Sequence, residues 1–135
     1  MKIYCDGGAR GNPGPAAAAF AVIKDGKIIH KESSFLGKAT NNFAEYQSVI
    51  LALKWLVNEK KVVDSKKILL ILDSELVTRQ LSGDFKVKSK TLTPLFQNAK
   101  NLERKISSKI SYRWSPRTKN RLADFLVNKE LDKKS

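Results

Sequence analysis

Residues 68–72 read Ile-Leu-Leu-Ile-Leu, and Asp73 follows at once. Five apolar residues without alternation describe a strand covered on both faces, because a half-exposed strand alternates with polar positions. Such a strand belongs in the interior of a sheet that carries a layer on each side. It also says where chemistry gathers. In open sheets of this kind, ligands collect beyond the carboxyl ends of parallel strands, which is where Asp73 stands.

The rest of the chain supplies neighbours and layers for that strand. Residues 2–6 read as a short strand running into a Gly/Pro-rich loop from Gly7 to Pro15. Ala16–Lys24 and Lys27–Phe35 read as two more strands, joined by the two-residue hairpin signal Asp25-Gly26. The run Ala16–Ala19 has helical propensity, but its place between Pro15 and the hairpin argues for a strand packed closely against a neighbour. Thr40–Glu59 reads as an amphipathic helix, with Phe43, Tyr46, Ile50, Leu53 and Val57 at alternating three- and four-residue spacing. Glu75–Leu81 and Leu92–Ile106 fit further helices, the latter with Pro94 in its first turn. Lys109–Trp114 fits a last strand and Lys119–Leu131 a last helix. The order β-β-β-α-β-α-α-β-α gives an α/β fold of mixed α+β character, a mixed sheet with helices on its faces.

Length and charge narrow the function. The 135 residues suit one domain, residues 1–135, with one core. No stretch approaches the ~20 apolar residues of a membrane helix. Asp6 interrupts any signal-peptide core. Cys5, the single cysteine, excludes an internal disulfide and a cysteine-based zinc site. A cytoplasmic monomer that needs neither membrane nor protein partner is the expectation. Lys and Arg number 26 against 13 Asp and Glu, a net charge of +13. That excess points to an anionic partner, nucleic acid first.

Most of the acids are scattered singly among the lysines. Asp6, Glu45, Asp73 and Asp124 instead sit in apolar or Gly-rich surroundings. Each has a bland reading. Asp6 stabilises the Gly7-Gly8 turn, Glu45 completes a capping box from Asn42, Asp73 caps the helix after it, and Asp124 is an exposed helix acid. Those readings fail jointly in a chain so short of acids. Four carboxylates brought together repel and raise one another's pKa values. Hard divalent cations relieve the repulsion through oxygen ligands. Two Mg²⁺ ions ~3.5–4 Å apart make a phosphodiester-cleaving site, one serving the attacking water and the other the leaving 3′ oxygen.

Four segments carry a resemblance. They are Tyr4-Cys5-Asp6-Gly7-Gly8-Ala9-Arg10-Gly11-Asn12-Pro13-Gly14-Pro15-Ala16, Thr40-Asn41-Asn42-Phe43-Ala44-Glu45-Tyr46, Leu72-Asp73-Ser74-Glu75-Leu76-Val77 and Asn120-Arg121-Leu122-Ala123-Asp124. In order and spacing, along nearly the whole chain, the sequence resembles the type 1 ribonucleases H. The resemblance implies a ribonuclease H-like fold with a five-stranded mixed sheet flanked by helices. It also implies endonucleolytic hydrolysis of the RNA strand in RNA–DNA hybrids, leaving 5′-phosphate and 3′-hydroxyl ends. Asp6, Glu45, Asp73 and Asp124 match the family's metal-binding acids, for two Mg²⁺ or, in substitution, Mn²⁺. Asn12, Asn41 and Asn42 match positions that contact RNA 2′-hydroxyls and bases, and Glu45 also touches a 2′-hydroxyl in the family. Thr40 matches a phosphate contact on the DNA strand, with Lys38 close by. A non-cleaving nucleic-acid-binding module of the same fold is the alternative. A phosphate-cradling ATPase loop at Gly7–Pro15 is disfavoured, because it lacks the Gly-Lys-Ser/Thr ending and two prolines remove amide donors.

The chain departs from the family pattern twice. Many relatives carry a histidine in the loop before the last helix. Here that loop is Ser115–Asn120 without one, and the single His30 lies in a strand far from the motifs. Arg117 stands where archaeal-type members have an arginine, which assigns it a role near the scissile phosphate. Its fixed charge suits phosphate but not proton shuttling. That loop also leaves double-stranded RNA open as a further substrate. Second, the basic helical handle of some bacterial members is absent. Phe85, Lys86, Lys88 and Lys90 occupy that stretch, with Phe85 as an aromatic against the DNA backbone and the lysines on DNA phosphates. The bland reading has Phe85 plugging the core.

Overall fold

A computed structural model describes residues 1–59 and 66–134. The strands are β1 (Lys2–Ala9), β2 (Gly14–Lys24), β3 (Lys27–Ala39), β4 (Lys67–Leu72) and β5 (Lys109–Trp114). The helices are α1 (Asn41–Asn58), α2 (Glu75–Leu81), α3 (Thr93–Arg104) and α4 (Arg121–Asp132), with a 3₁₀ turn at Arg117–Lys119. The sheet order is β3-β2-β1-β4-β5. The β1–β2 and β2–β3 pairs are antiparallel, while β1–β4 and β4–β5 are parallel. The uninterrupted apolar run thus lies between two parallel neighbours, and the carboxyl ends of β1 and β4 open on the same edge.

Alternation along the strands divides two cores. Ile3, Cys5, Ile68, Leu70 and Leu72 meet α1 residues such as Val49, Ile50 and Leu53 on one face. On the other face Ala17, Ala19 and Ala21 pack against Leu126, Val127 and Leu131 of α4. The alanine run is therefore a strand with a helix laid close on it. Small side chains let α4 approach, and so bring Asp124 toward the sheet edge. The hairpin forms as the sequence implies: Asp25 and Gly26 have φ of 53° and 75°, both in the left-handed region.

Several boundaries differ from the sequence reading. β1 does not stop at Asp6. Gly7, Gly8 and Ala9 pair with Ala18, Ala17 and Ala16, so most of the expected Gly7–Pro15 loop is sheet. β3 runs four residues past Phe35, to Ala39. The first helix is capped by Thr40, whose Oγ1 accepts from Phe43 N at 3.2 Å, so the capping box from Asn42 does not form. Ser74, not Asp73, caps α2, its side chain accepting from Val77 N at 3.3 Å. α3 is shorter at both ends than Leu92–Ile106. The last helix begins at Arg121, after the 3₁₀ turn, rather than at Lys119. With their capping roles removed, Glu45 and Asp73 need another explanation.

Candidate active site

Three elements deliver three acids to one point. Asp6 lies on β1, Glu45 on the second turn of α1, and Asp73 directly after β4. One carboxylate oxygen from each lies within 4.8 Å of the others. Asp6 and Glu45 are only 3% and 2% exposed. Glu45 approaches because α1 crosses β1 at Gly7. A Cβ on Gly7 would lie 2.1 Å from the Ala44 carbonyl, a distance only glycine permits. Gly7 N donates to Glu45 Oε2 at 3.3 Å. Trp114 Nε1 donates to the Asp73 backbone carbonyl at 3.2 Å and ties the end of β4 to the end of β5.

The cluster is electrostatically unfavourable as it stands. Burial, then the neighbouring Asp73 and Asp124 charges, push Asp6 up to about 8. Burial and then Asp73 and Asp6 raise Glu45 well above the usual carboxylate range. The buried oxygens Glu45 Oε1 and Asp73 Oδ2 have no hydrogen-bond partner. Arg117 Nε stands 3.6 Å from Asp73 Oδ2, an ion pair too long to be a hydrogen bond, and its side chain is 73% exposed. Crowded, dry, acceptor-only oxygens fit a hard divalent cation. Asp6, Glu45 and Asp73 would hold it.

Asp124 comes to the cluster from α4. It lines the same small cleft as Asp6, Asn41 and Arg117. Its carboxylate is not within the 4.8 Å spacing that joins the other three. Its place is set by how α4 rests on Ala17, Ala19 and Ala21 of β2. Asn120, buried before α4, donates from Nδ2 to Cys5 O at 2.8 Å and pins the helix start beside Asp6. That role escaped the sequence reading, although Asn120 was inside a recognised motif.

The polar residues form a connected row. Asn41 Oδ1 accepts from Ala9 N at 2.8 Å, and Asn12 Oδ1 accepts from Asn41 N at 3.0 Å. Both carboxamide oxygens are used inside the protein, which leaves the amide nitrogens to donate outward. Asn12, Thr40 and Asn42 line a neighbouring cleft of ≈ 250 Å³ together with Ser89 and Thr91. Ser89 and Thr91 were missed, because nothing local marks a loop hydroxyl for this place. Lys38 and Thr40 border an adjoining apolar cleft of ≈ 420 Å³ with Phe43. Phe85 is 46% exposed with the Arg79 guanidinium 5.5 Å from its ring centre, so it does not plug the core. Lys86 and Lys88 are exposed on either side of half-buried Val87. His30 stacks on Trp55 at 4.9 Å and meets Glu32 at 3.0 Å, a packing role away from the acids.

Residues 1–131 match the model of the RNase H family. The chain belongs to the ribonuclease H family. Among its relatives, the bifunctional protein Rv2228c of Mycobacterium tuberculosis is 36% identical over 134 residues, covering 98% of this chain and 35% of that protein. Ribonuclease HI of Halobacterium salinarum is 36% identical over 137 residues, covering 98% of this chain and 64% of that protein. The chain thus spans about a third of the mycobacterial relative and just under two thirds of the halobacterial one. LC11-RNase H1, from compost, solved in complex with an RNA/DNA hybrid, superposes with a TM-score of 0.92 at 38% identity. That match covers 98% of this chain and 96% of that one. RNase H1 of Halobacterium salinarum superposes at 0.88 with 36% identity, covering 98% and 97%. The mixed five-stranded sheet and four helices are the ribonuclease H fold, and the relatives place the chain with the type 1 members.

Proposed function

We propose that this chain is an endoribonuclease that hydrolyses the RNA strand of RNA–DNA hybrids and leaves 5′-phosphate and 3′-hydroxyl ends. The observation that carries the reading is the three-acid cluster with two buried, unpartnered oxygens. The hybrid bound by LC11-RNase H1 supports the choice of substrate.

Asp6, Glu45 and Asp73, joined by Asp124 across the cleft, would hold two divalent cations, Mg²⁺ or Mn²⁺. Bound there, they would supply the charge for activating a water and stabilising the leaving 3′ oxygen. Arg117, exposed beside Asp73, offers its guanidinium to the scissile phosphate and holds rather than moves charge. The outward amide nitrogens of Asn12 and Asn41, with Asn42, donate to ribose 2′-hydroxyls, which distinguish RNA from DNA. Thr40 and Lys38, beside Ser89 and Thr91, take phosphates of the DNA strand. Lys86 and Lys88 extend that contact, with Phe85 against the backbone. A cytoplasmic, monomeric catalytic unit completes the proposal.

An RNA strand labelled at one end and annealed to DNA, annealed to RNA, or left single tests this in Mg²⁺, Mn²⁺ and EDTA. Internal cutting of the hybrid in metal but not in EDTA is expected. The RNA duplex lane sets the breadth of the activity. Binding without cutting in either metal would instead make the chain a binding module.

A further inference from the structure

The flank of α4 opposite Asp124 carries features the active site does not use. Asp124 faces the cleft with Asp6, while Leu122 lines a separate groove of ≈ 370 Å³ with Tyr4, Ile23, Thr118, Lys119 and Arg121. Among the described residues, no acid lines this groove. Phe125 is 60% exposed. On a helix it shares a face with Arg121 and Leu122 before it and with Lys129 after it. An aromatic ring therefore stands between two cations on the helix that lends Arg121 and Leu122 to an apolar groove, whose lining carries a further cation, Lys119.

The sheet continues this surface. α4 packs on β1, β2 and β3. On the same face β4 and β5 present Lys67, Lys109, Ser111 and Arg113, all exposed, because Ile68, Leu70, Ile110 and Tyr112 take the opposite face. Exposed lysines alone mean little. A cationic track interleaved with a half-buried tyrosine and an exposed phenylalanine has a specific chemistry. It is the combination that holds single strands, with phosphates on cations and bases stacked on rings.

We propose that this groove binds single-stranded nucleic acid, the unpaired continuation of a substrate strand beyond the hybrid. Duplex does not suit it, since its bases are already stacked and offer no faces to Phe125 or Tyr4. The groove's lining includes Thr118, the residue that follows Arg117 of the active-site cleft. The proposal rests on the reading of the chain as acting on nucleic acid.

The test measures binding in EDTA, where no cutting occurs, to a blunt RNA–DNA hybrid and to the same hybrid with a single-stranded RNA tail. The tailed hybrid is expected to bind about fivefold or more tightly, the low end of one stacked base. Phe125→Ala and Arg121→Gln should each remove most of that gain. Phe125→Ala should leave blunt-hybrid cleavage in Mg²⁺ unchanged. Equal binding of tailed and blunt hybrids, or a gain that survives both substitutions, would overturn the proposal. So would a poly-glutamate probe that occupies the groove while the tail does not, which would assign the surface to an acidic protein. Blunt-hybrid cleavage in Mg²⁺ reports separately on the proposed function, so the two readings fail independently.

Discussion

Replacing Gly7 by alanine drives a methyl group into the backbone of α1. The added Cβ would lie 2.1 Å from both the carbonyl carbon and oxygen of Ala44, and 2.5 Å from Glu45 N. Carbon–oxygen contacts in proteins close to only ~3.3 Å, so helix and strand must part by about 1 Å. No side-chain rotamer relieves the clash, because the opposing atoms are backbone held in a helix. Overpacking costs ~1–3 kcal/mol, and this contact belongs at the upper end. An unfolding entropy of about 2.1 cal/mol/K per residue over 135 residues converts ~3 kcal/mol into a melting temperature about 10 °C lower. Gly8→Ala is the control. Its Cβ meets only Asn41 Oδ1, at 3.9 Å, and its backbone is not left-handed. That change should be neutral or stabilise by ~0.4–1 kcal/mol through the unfolded chain. The assay is a thermal melt of both variants beside wild type. Equal melting temperatures for the two would refute the argument that α1 is seated on Gly7.

Other outcomes follow from the same geometry. Asp6, lifted from 3.8 to about 8, binds its proton more tightly folded than unfolded, so this group's stabilisation is lost as pH rises through that window. Melts of EDTA-treated protein should fall between pH 4 and pH 8, with Mg²⁺ restoring the loss at pH 8; a flat profile contradicts the burial argument. Asn120→Ala removes the donor to the buried Cys5 carbonyl and should cost ~1–3 kcal/mol, read as a lower denaturant midpoint at unchanged slope. Lys86→Gln with Lys88→Gln should weaken hybrid binding and lower its salt dependence by up to ~2 phosphate contacts; an unchanged salt slope removes these lysines from the interface.

Much of this molecule is legible in its sequence, and the gaps have a common cause. The limits of α2 and β5 and the place of β4 follow from apolar runs and local stop signals. So does the Asp25-Gly26 hairpin. The reach of β1 through Gly7 and Gly8 does not, because a glycine kept for a helix crossing overhead looks locally like a loop glycine. The sequence leaves the cap of α1 open, since Thr40, Asn41 and Asn42 are all good caps and tertiary placement decides among them. Three acids converge as their contexts implied, on the edge Asp73 marked. Asp124 stands further off, because its position depends on how α4 rests on Ala17, Ala19 and Ala21. Ser89 and Thr91 carried no local signal, and only the fold brings them to Asn12 and Thr40.

The most direct test of the central claim is the rate at which Asp73→Asn cuts an RNA–DNA hybrid in Mg²⁺, measured beside its melt in EDTA. Asparagine keeps the shape and removes one of three crowded charges. A cation ligand should matter more than the 10–100-fold typical of outer-shell partners, so the rate should fall by more than about a hundredfold. The metal-free variant should melt at or above wild type, because the repulsion is relieved. A variant that cuts at near wild-type rate would contradict the account.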